Sequence, residues 1–117
     1  MIGFDLQEVA EIGDEDKLLK KIALEGEIAY VERFKQDKKQ KVASLWGVKE
    51  AVFKALDVSA GDISFKEIEL CHKENGAPFV KLHGKAKQRF EQLNAERIEV
   101  SISHQKNVVG AIAMIVK

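Results

Sequence analysis

The sequence predicts an α+β fold, a mostly antiparallel sheet packed against one long helix and shorter helices. Two observations carry that prediction. Helical apolar periodicity fills the first half of the chain, strongest between Lys38 and Leu56, while the second half holds short alternating or continuous apolar runs. A turn at Asn75-Gly76-Ala77-Pro78 separates two of those runs and marks a hairpin, because Asn and Gly tolerate positive φ and Pro blocks helix.

The elements follow in order. Met1 to Leu6 is a short apolar run containing Asp5 and reads as a strand, with a helical turn over Gln7 to Ile12. Asp14 can cap a helix through about Leu24, with acids near its start and Lys20 and Lys21 near its end, as the helix dipole prefers. Gly26 interrupts, and a short helix over Glu27 to Phe34 carries Ile28, Val31 and Phe34. In the long helix, Val42, Leu45, Trp46, Val48, Val52, Phe53 and Leu56 gather on one face at 100° per residue. Val58 to Asp62 ends the helical half. Ile63 to Cys71 reads as a strand, chiefly Ile68 to Cys71, and Phe79 to Leu82 as its hairpin partner. A helix over Lys85 to Asn94 precedes a strictly alternating strand, Ile98 to Ser103, and the strongest strand of the chain, Val108 to Val116.

At 117 residues the chain has the size of one domain, taken as 1–117. Nineteen basic and nineteen acidic residues balance, so general nucleic-acid binding has no compositional support. The single cysteine, Cys71, excludes an internal disulfide and fits a reducing compartment. No apolar run approaches the ~20 residues of a membrane span, and the N-terminus lacks signal-peptide features. A cytoplasmic protein with no membrane association is expected.

The long helix carries charge where packing alone does not put it. Lys49 falls near the middle of the apolar stripe, Glu50 at its edge and Lys54 just beyond. A buried lysine needs a partner, since leaving it unpaired costs several kcal/mol. Glu50 and Lys54 stand at the i,i+4 spacing of an ion pair. Asp5, an acid inside a strand, reads either as a solvated edge residue or as a hard-metal ligand. Mg²⁺ binds through few carboxylates and completes its shell with water and phosphate, and Glu50 is the leading second carboxylate. Lys49 and Lys54 could hold phosphate oxygens, and His104 ends a strand where a loop begins. No zinc-ligand spacing, Walker loop or dinucleotide fingerprint occurs. Lys35, Lys38, Lys39 and Lys41 form a basic cluster suited either to solvent or to an acidic partner.

Gly3-Phe4-Asp5-Leu6, then Trp46-Gly47-Val48-Lys49-Glu50-Ala51-Val52-Phe53-Lys54, then Asn75-Gly76-Ala77-Pro78, then Ser101-Ile102-Ser103-His104 resemble, in that order, the holo-acyl-carrier-protein synthases of the 4′-phosphopantetheinyl transferase superfamily. The resemblance spans essentially the whole chain and fits the single-domain bacterial type. It implies Mg²⁺-dependent transfer of the phosphopantetheine arm of coenzyme A to a serine of acyl carrier protein, releasing adenosine 3′,5′-bisphosphate. It implies Asp5 and Glu50 as Mg²⁺ ligands, with Glu50, Lys54 and His104 taking part in catalysis. Coenzyme A contacts are implied at Lys49, Lys54, His104 and the turn residues Asn75, Gly76 and Pro78, Lys49 serving as a support. It further implies a homotrimer with active sites between subunits. The chain departs from the family pattern at Glu11 and Leu45, where arginines are usual, and the Lys35–Lys41 cluster offers replacement positive charge. Two other functions suit the same residues: a non-catalytic α+β module that oligomerises through its sheet, and another Mg²⁺-dependent phosphate-ester enzyme.

Overall fold

The computed structural model describes residues 1–58 and 61–117. Among the described residues, five strands and four α-helices run in the order β1 (Ile2–Glu8), α1 (Glu15–Ile22), α2 (Glu25–Glu32), α3 (Lys38–Leu56), β2 (Ile68–His72), β3 (Pro78–Leu82), α4 (Gly84–Gln92), β4 (Arg97–Gln105) and β5 (Val108–Val116). The strands divide into a three-stranded antiparallel sheet, β1-β5-β4, and the separate β2–β3 hairpin. The long helix α3 packs across the three-stranded sheet, and the expected α+β architecture stands.

Local differences from the sequence expectation have local causes. β1 continues past Leu6 because Gln7 and Glu8 still pair with Val109 and Val108 of β5. The helical turn shrinks to a 3₁₀ segment over Val9–Glu11. Asp14 does cap α1, accepting from the Lys17 amide at 3.1 Å. That helix stops at Ile22, since Glu27 Oε1 takes the Leu24 amide at 2.8 Å and opens α2 at Glu25. Phe65–Glu67 is a 3₁₀ turn capped by Ser64 rather than part of a strand. The expected break over Val58 to Asp62 lies partly outside the described residues; α3 itself ends at Asp57 in the left-handed region.

Helix α3 is buried on more than the one predicted stripe. Val42, Leu45, Val48, Val52 and Leu56 join the main core with Leu19, Ile22, Val31 and Ile68. A second buried row, Ala43, Gly47, Ala51 and Ala55, recurs every four residues and carries almost no side chain. The sheet answers with its own small residues: Gly3 pairs with Ala113, and Asp5 with Ala111. A Cβ added at Gly3 would run into the Ala51 carbonyl oxygen and lie 2.7 Å from the Ala55 nitrogen. Strand and helix backbones therefore meet almost directly, and β1 tolerates no larger residue there.

Lys49 is fully buried, at 0% exposure. Its ammonium donates to Glu27 Oε1 at 2.9 Å, to the Phe65 carbonyl at 2.9 Å and to the Ile68 carbonyl at 2.6 Å. Glu27 is buried too, and its Oε2 accepts from the Leu70 amide at 2.7 Å. Burial pulls the Lys49 pKa down, and the Glu27 carboxylate opposes that pull. The pair thus ties α3 to α2 and to the start of β2 with every ammonium proton used.

Lys49→Met should cost about 3–5 kcal/mol in urea unfolding, because it strands a buried Glu27 carboxylate. A Glu27→Gln/Lys49→Met double variant should lose clearly less than the sum of its single variants. Additive losses would show that the two residues do not act as a unit.

Candidate active site

Alternation along β1 turns Gly3, Asp5 and Gln7 toward α3 and leaves Ile2, Phe4 and Leu6 on the outer face. Asp5 is thereby buried at the seam between strand and helix. Its Oδ1 accepts from Lys54 Nζ at 3.1 Å and its Oδ2 from Gln7 Nε2 at 2.6 Å. Lys54 also donates to the Phe4 carbonyl at 3.0 Å. The i,i+4 pairing read for Glu50 and Lys54 gives way to an Asp5–Lys54 ion pair, because β1 lies within reach of the lysine.

Glu50 is half-buried on the next turn before Lys54. Its carboxyl is raised above the ordinary 4.5, first by burial, then by the negative charge of Asp5, with Lys54 opposing both. Two carboxylates that feel each other's charge, with a lysine alongside, are hard oxygen donors of the kind Mg²⁺ takes while it keeps positions for water and phosphate. The residues present fit such an ion. Among the described residues no cluster of three or more His, Cys, Asp or Glu forms a closed metal cage.

The other candidates lie elsewhere. Lys49, counted with the coenzyme A contacts, is buried with its donors occupied, so a direct contact is corrected to internal support. His104 is exposed at the end of β4, its Nδ1 3.2 Å from Gln40 Nε2. Gln40 precedes Glu50 by ten residues on α3, about 15 Å along the axis at 1.5 Å per residue. The 75–78 turn closes the β2–β3 hairpin, with Gly76 at φ 89° and the Ala77 amide on Asn75 Oδ1 at 3.0 Å. It adjoins a cavity of about 520 Å³ lined by Tyr30, Arg33 and His72. Tyr30 and His72 stack there at 3.9 Å, and burial holds the His72 pKa low. One chain therefore gathers Asp5, Glu50 and Lys54, places His104 beside Gln40 near the start of α3, and puts the turn at the end of the β2–β3 hairpin.

The departures and the basic cluster resolve differently. Leu45 is in the core and Glu11 is exposed. Lys38 is held by Asp16 at 2.6 Å and Glu32 at 2.7 Å, which push its pKa up, and Lys39 stands 3.8 Å from Glu15. Much of the cluster's charge is thus spent within the chain. Glu27 and Gln7 escaped the sequence reading. The demand of a buried Lys49 for an acid pointed to the first; the i,i+2 spacing from Asp5 pointed to the second.

The raised Glu50 pKa has a stability consequence. Its ionised form is disfavoured in the folded chain, so Glu50→Gln should raise the melting temperature at pH 7 by roughly 2 °C. That gain should shrink as pH falls through the raised pKa and vanish below the ordinary 4.5, where both side chains are neutral. A Glu50→Gln variant less stable than wild type at pH 7 would refute this.

A family model for the 4′-phosphopantetheinyl transferase superfamily matches residues 1–113. A holo-[acyl-carrier-protein] synthase of Caldicellulosiruptor bescii is 38% identical over 117 aligned positions, covering 97% of this chain and 94% of that protein. A fatty acid synthase subunit alpha of Lachancea kluyveri is 34% identical over 97% of this chain, which spans 6% of that much longer protein. The crystal structure of Helicobacter pylori holo-[acyl-carrier-protein] synthase in complex with coenzyme A superposes with a TM-score of 0.82 at 28% identity, covering 98% of this chain and 99% of that one. Likeness of this extent in sequence and in fold places the chain in the 4′-phosphopantetheinyl transferase superfamily, among the holo-[acyl-carrier-protein] synthases.

Proposed function

We propose that this chain transfers the 4′-phosphopantetheine arm of coenzyme A to a serine hydroxyl of apo acyl carrier protein. The transfer is Mg²⁺-dependent, releases adenosine 3′,5′-bisphosphate, and supports fatty acid biosynthesis in the cytoplasm. The observation that carries the reading is the Asp5–Glu50–Lys54 group at the β1–α3 seam. It occurs in a chain whose full-length relatives are named holo-[acyl-carrier-protein] synthases.

In the reaction the serine oxygen bonds to the β-phosphorus of coenzyme A. The bond from that phosphorus to the bridging oxygen breaks, and adenosine 3′,5′-bisphosphate leaves. Asp5 and Glu50 would hold the ion, which would supply Lewis-acid neutralisation of the diphosphate. Lys54, at the solvent edge, stabilises charge growing on the leaving phosphate. The serine proton needs a base, a role open to the Glu50 carboxylate at the β1–α3 seam or to a water beside it.

The active form in this reading is a homotrimer. Ile2, Phe4, Leu6, Val108 and Met114 are exposed on the outer face of the sheet, an apolar surface suited to a second copy. A groove of about 730 Å³ runs between that face and His104. Subunit sharing gives His104 and the turn residues Asn75, Gly76 and Pro78 a place in the reaction. His104 meets the diphosphate and the turn meets the adenosine end.

Incubation of apo acyl carrier protein with this protein, coenzyme A and Mg²⁺ should add one phosphopantetheine mass to the carrier by mass spectrometry. Asp5→Asn and Glu50→Gln should each lower the rate at least a hundredfold, and EDTA should abolish transfer. An unmodified carrier would overturn the assignment. Mixing inactive His104→Ala and Glu50→Gln proteins after subunit exchange should restore measurable transfer, and no restoration would refute shared sites.

A further inference from the structure

We infer that Gln7 is a positioning residue for the Asp5 carboxylate, and that Lys54 is the exchangeable counter-ion on that carboxylate's other oxygen. The inference rests on the Mg²⁺ reading above and deepens it, because it concerns how the binding carboxylate is prepared. Both oxygens of Asp5 are engaged, but by unlike partners. Gln7 reaches Oδ2 at 2.6 Å, whereas Lys54 reaches Oδ1 at 3.1 Å and divides its protons with the Phe4 carbonyl.

The Gln7 contact is fixed by chemistry and by packing. A carboxylate only accepts, so the amide must present its NH₂ to Asp5. Gln7 stands two residues beyond Asp5 on the same strand face, held in register opposite the buried Val109. Above both lies Gly47 of α3. A Cβ added there would sit 3.7 Å from Gln7 Cγ and 3.9 Å from Asp5 Oδ2, so both side chains press against the helix where it is barest. Gln7 is half-buried in that slot.

The Lys54 contact is of the opposite kind. The Lys54 side chain is 54% exposed against 11% for Asp5. It can leave Asp5 for solvent or for a phosphate oxygen without burying an unpaired charge. Lys54 would therefore give way to a dication held by Asp5, while Gln7 keeps the carboxylate aimed. The freed ammonium then stands one turn from Glu50, positioned for the phosphates of coenzyme A. One carboxylate so couples cation entry to the release of a phosphate-binding lysine.

The two partners of Asp5 should shift metal affinity in opposite directions. Binding of Mn²⁺ alone to the full-length, metal-free protein, followed by electron paramagnetic resonance, reads this without any turnover. Gln7→Met, which keeps size but loses the donor, should weaken Mn²⁺ binding about tenfold, as loss of an outer-shell partner does. Lys54→Met, which removes a competing cation, should tighten it several-fold. In the transfer assay Gln7→Met should raise the Mg²⁺ concentration needed for half-maximal rate and leave kcat near wild type at saturating Mg²⁺. Gln7→Ser, polar but too short to reach Asp5, repeats the measurement if the Met variant does not fold. Unchanged Mn²⁺ affinity in a folded Gln7 variant, or a kcat loss that Mg²⁺ cannot rescue, would overturn the positioning role. Weaker Mn²⁺ binding by Lys54→Met would overturn the counter-ion role. A wild-type protein that binds no Mn²⁺ would overturn the metal reading itself, and this inference with it.

Discussion

The buried contact between Lys49 and Glu27 is the constraint on which the site depends. A lysine with no exposed surface must find an acceptor for each of its protons, and only one placement of α3 supplies them. A slide of one residue along the helix would rotate Lys49 by 100° and move it 1.5 Å, out of reach of Glu27 and both carbonyls. The same rotation would carry Glu50 away from Asp5. The pair therefore acts as a register pin: its charge costs more to bury than an apolar pair would, and what it secures is one orientation. Whether such pairs give specificity differs among proteins. In this chain the link to the site is geometric, since the residue after the pinned lysine is the half-buried carboxylate Glu50.

The second constraint is closeness. Gly3 and the Ala43-Gly47-Ala51-Ala55 row let β1 and α3 meet backbone to backbone. With larger residues at that seam, Asp5 would stand further from α3, and Glu50 and Lys54 would have to reach farther to share its field. Burial raises the proton affinity of Glu50, and proximity to Asp5 raises it again. The fold thus holds two negative charges in a place where water screens them poorly, and Lys54 offsets part of that repulsion. Active sites commonly carry such local strain, which a rigid surround has to maintain.

Much of this was legible in the sequence because the chemistry is local. The charge on the apolar stripe exposed Lys49 as a residue needing a partner, and Asn75-Gly76-Ala77-Pro78 gave the hairpin turn through its own backbone preferences. The strand Val108–Val116 matched to the residue, because a long apolar run between turns leaves one way to pair. What was not legible depended on distance across the chain. The partner of Lys54 is 49 residues away, so the i,i+4 rule found Glu50 instead of Asp5. Glu27 lies 22 residues before Lys49, on a helix whose start it helps to set. The small-residue row was hidden for a different reason: hydrophobic periodicity weighs large side chains, and alanine and glycine hardly register on it.

β1 joins these threads. An ordinary strand over a core turns its large apolar residues inward; this one turns Gly3, Asp5 and Gln7 inward and exposes Ile2, Phe4 and Leu6. Its inner face is polar because the site is there, and it is small because α3 needs the space. The large apolar residues are then left exposed on the outside. Pairing with β5 extends that outer patch across Met114, opposite Ile2, and Ile112, opposite Phe4. A strand built this way carries its binding chemistry on one face and an exposed apolar patch on the other. The backbone that carries both faces has no slack at Gly3, two residues before Asp5. The carboxylate on the inner face and the apolar patch on the outer face thus share one strand backbone, and neither can be altered at Gly3 without the other.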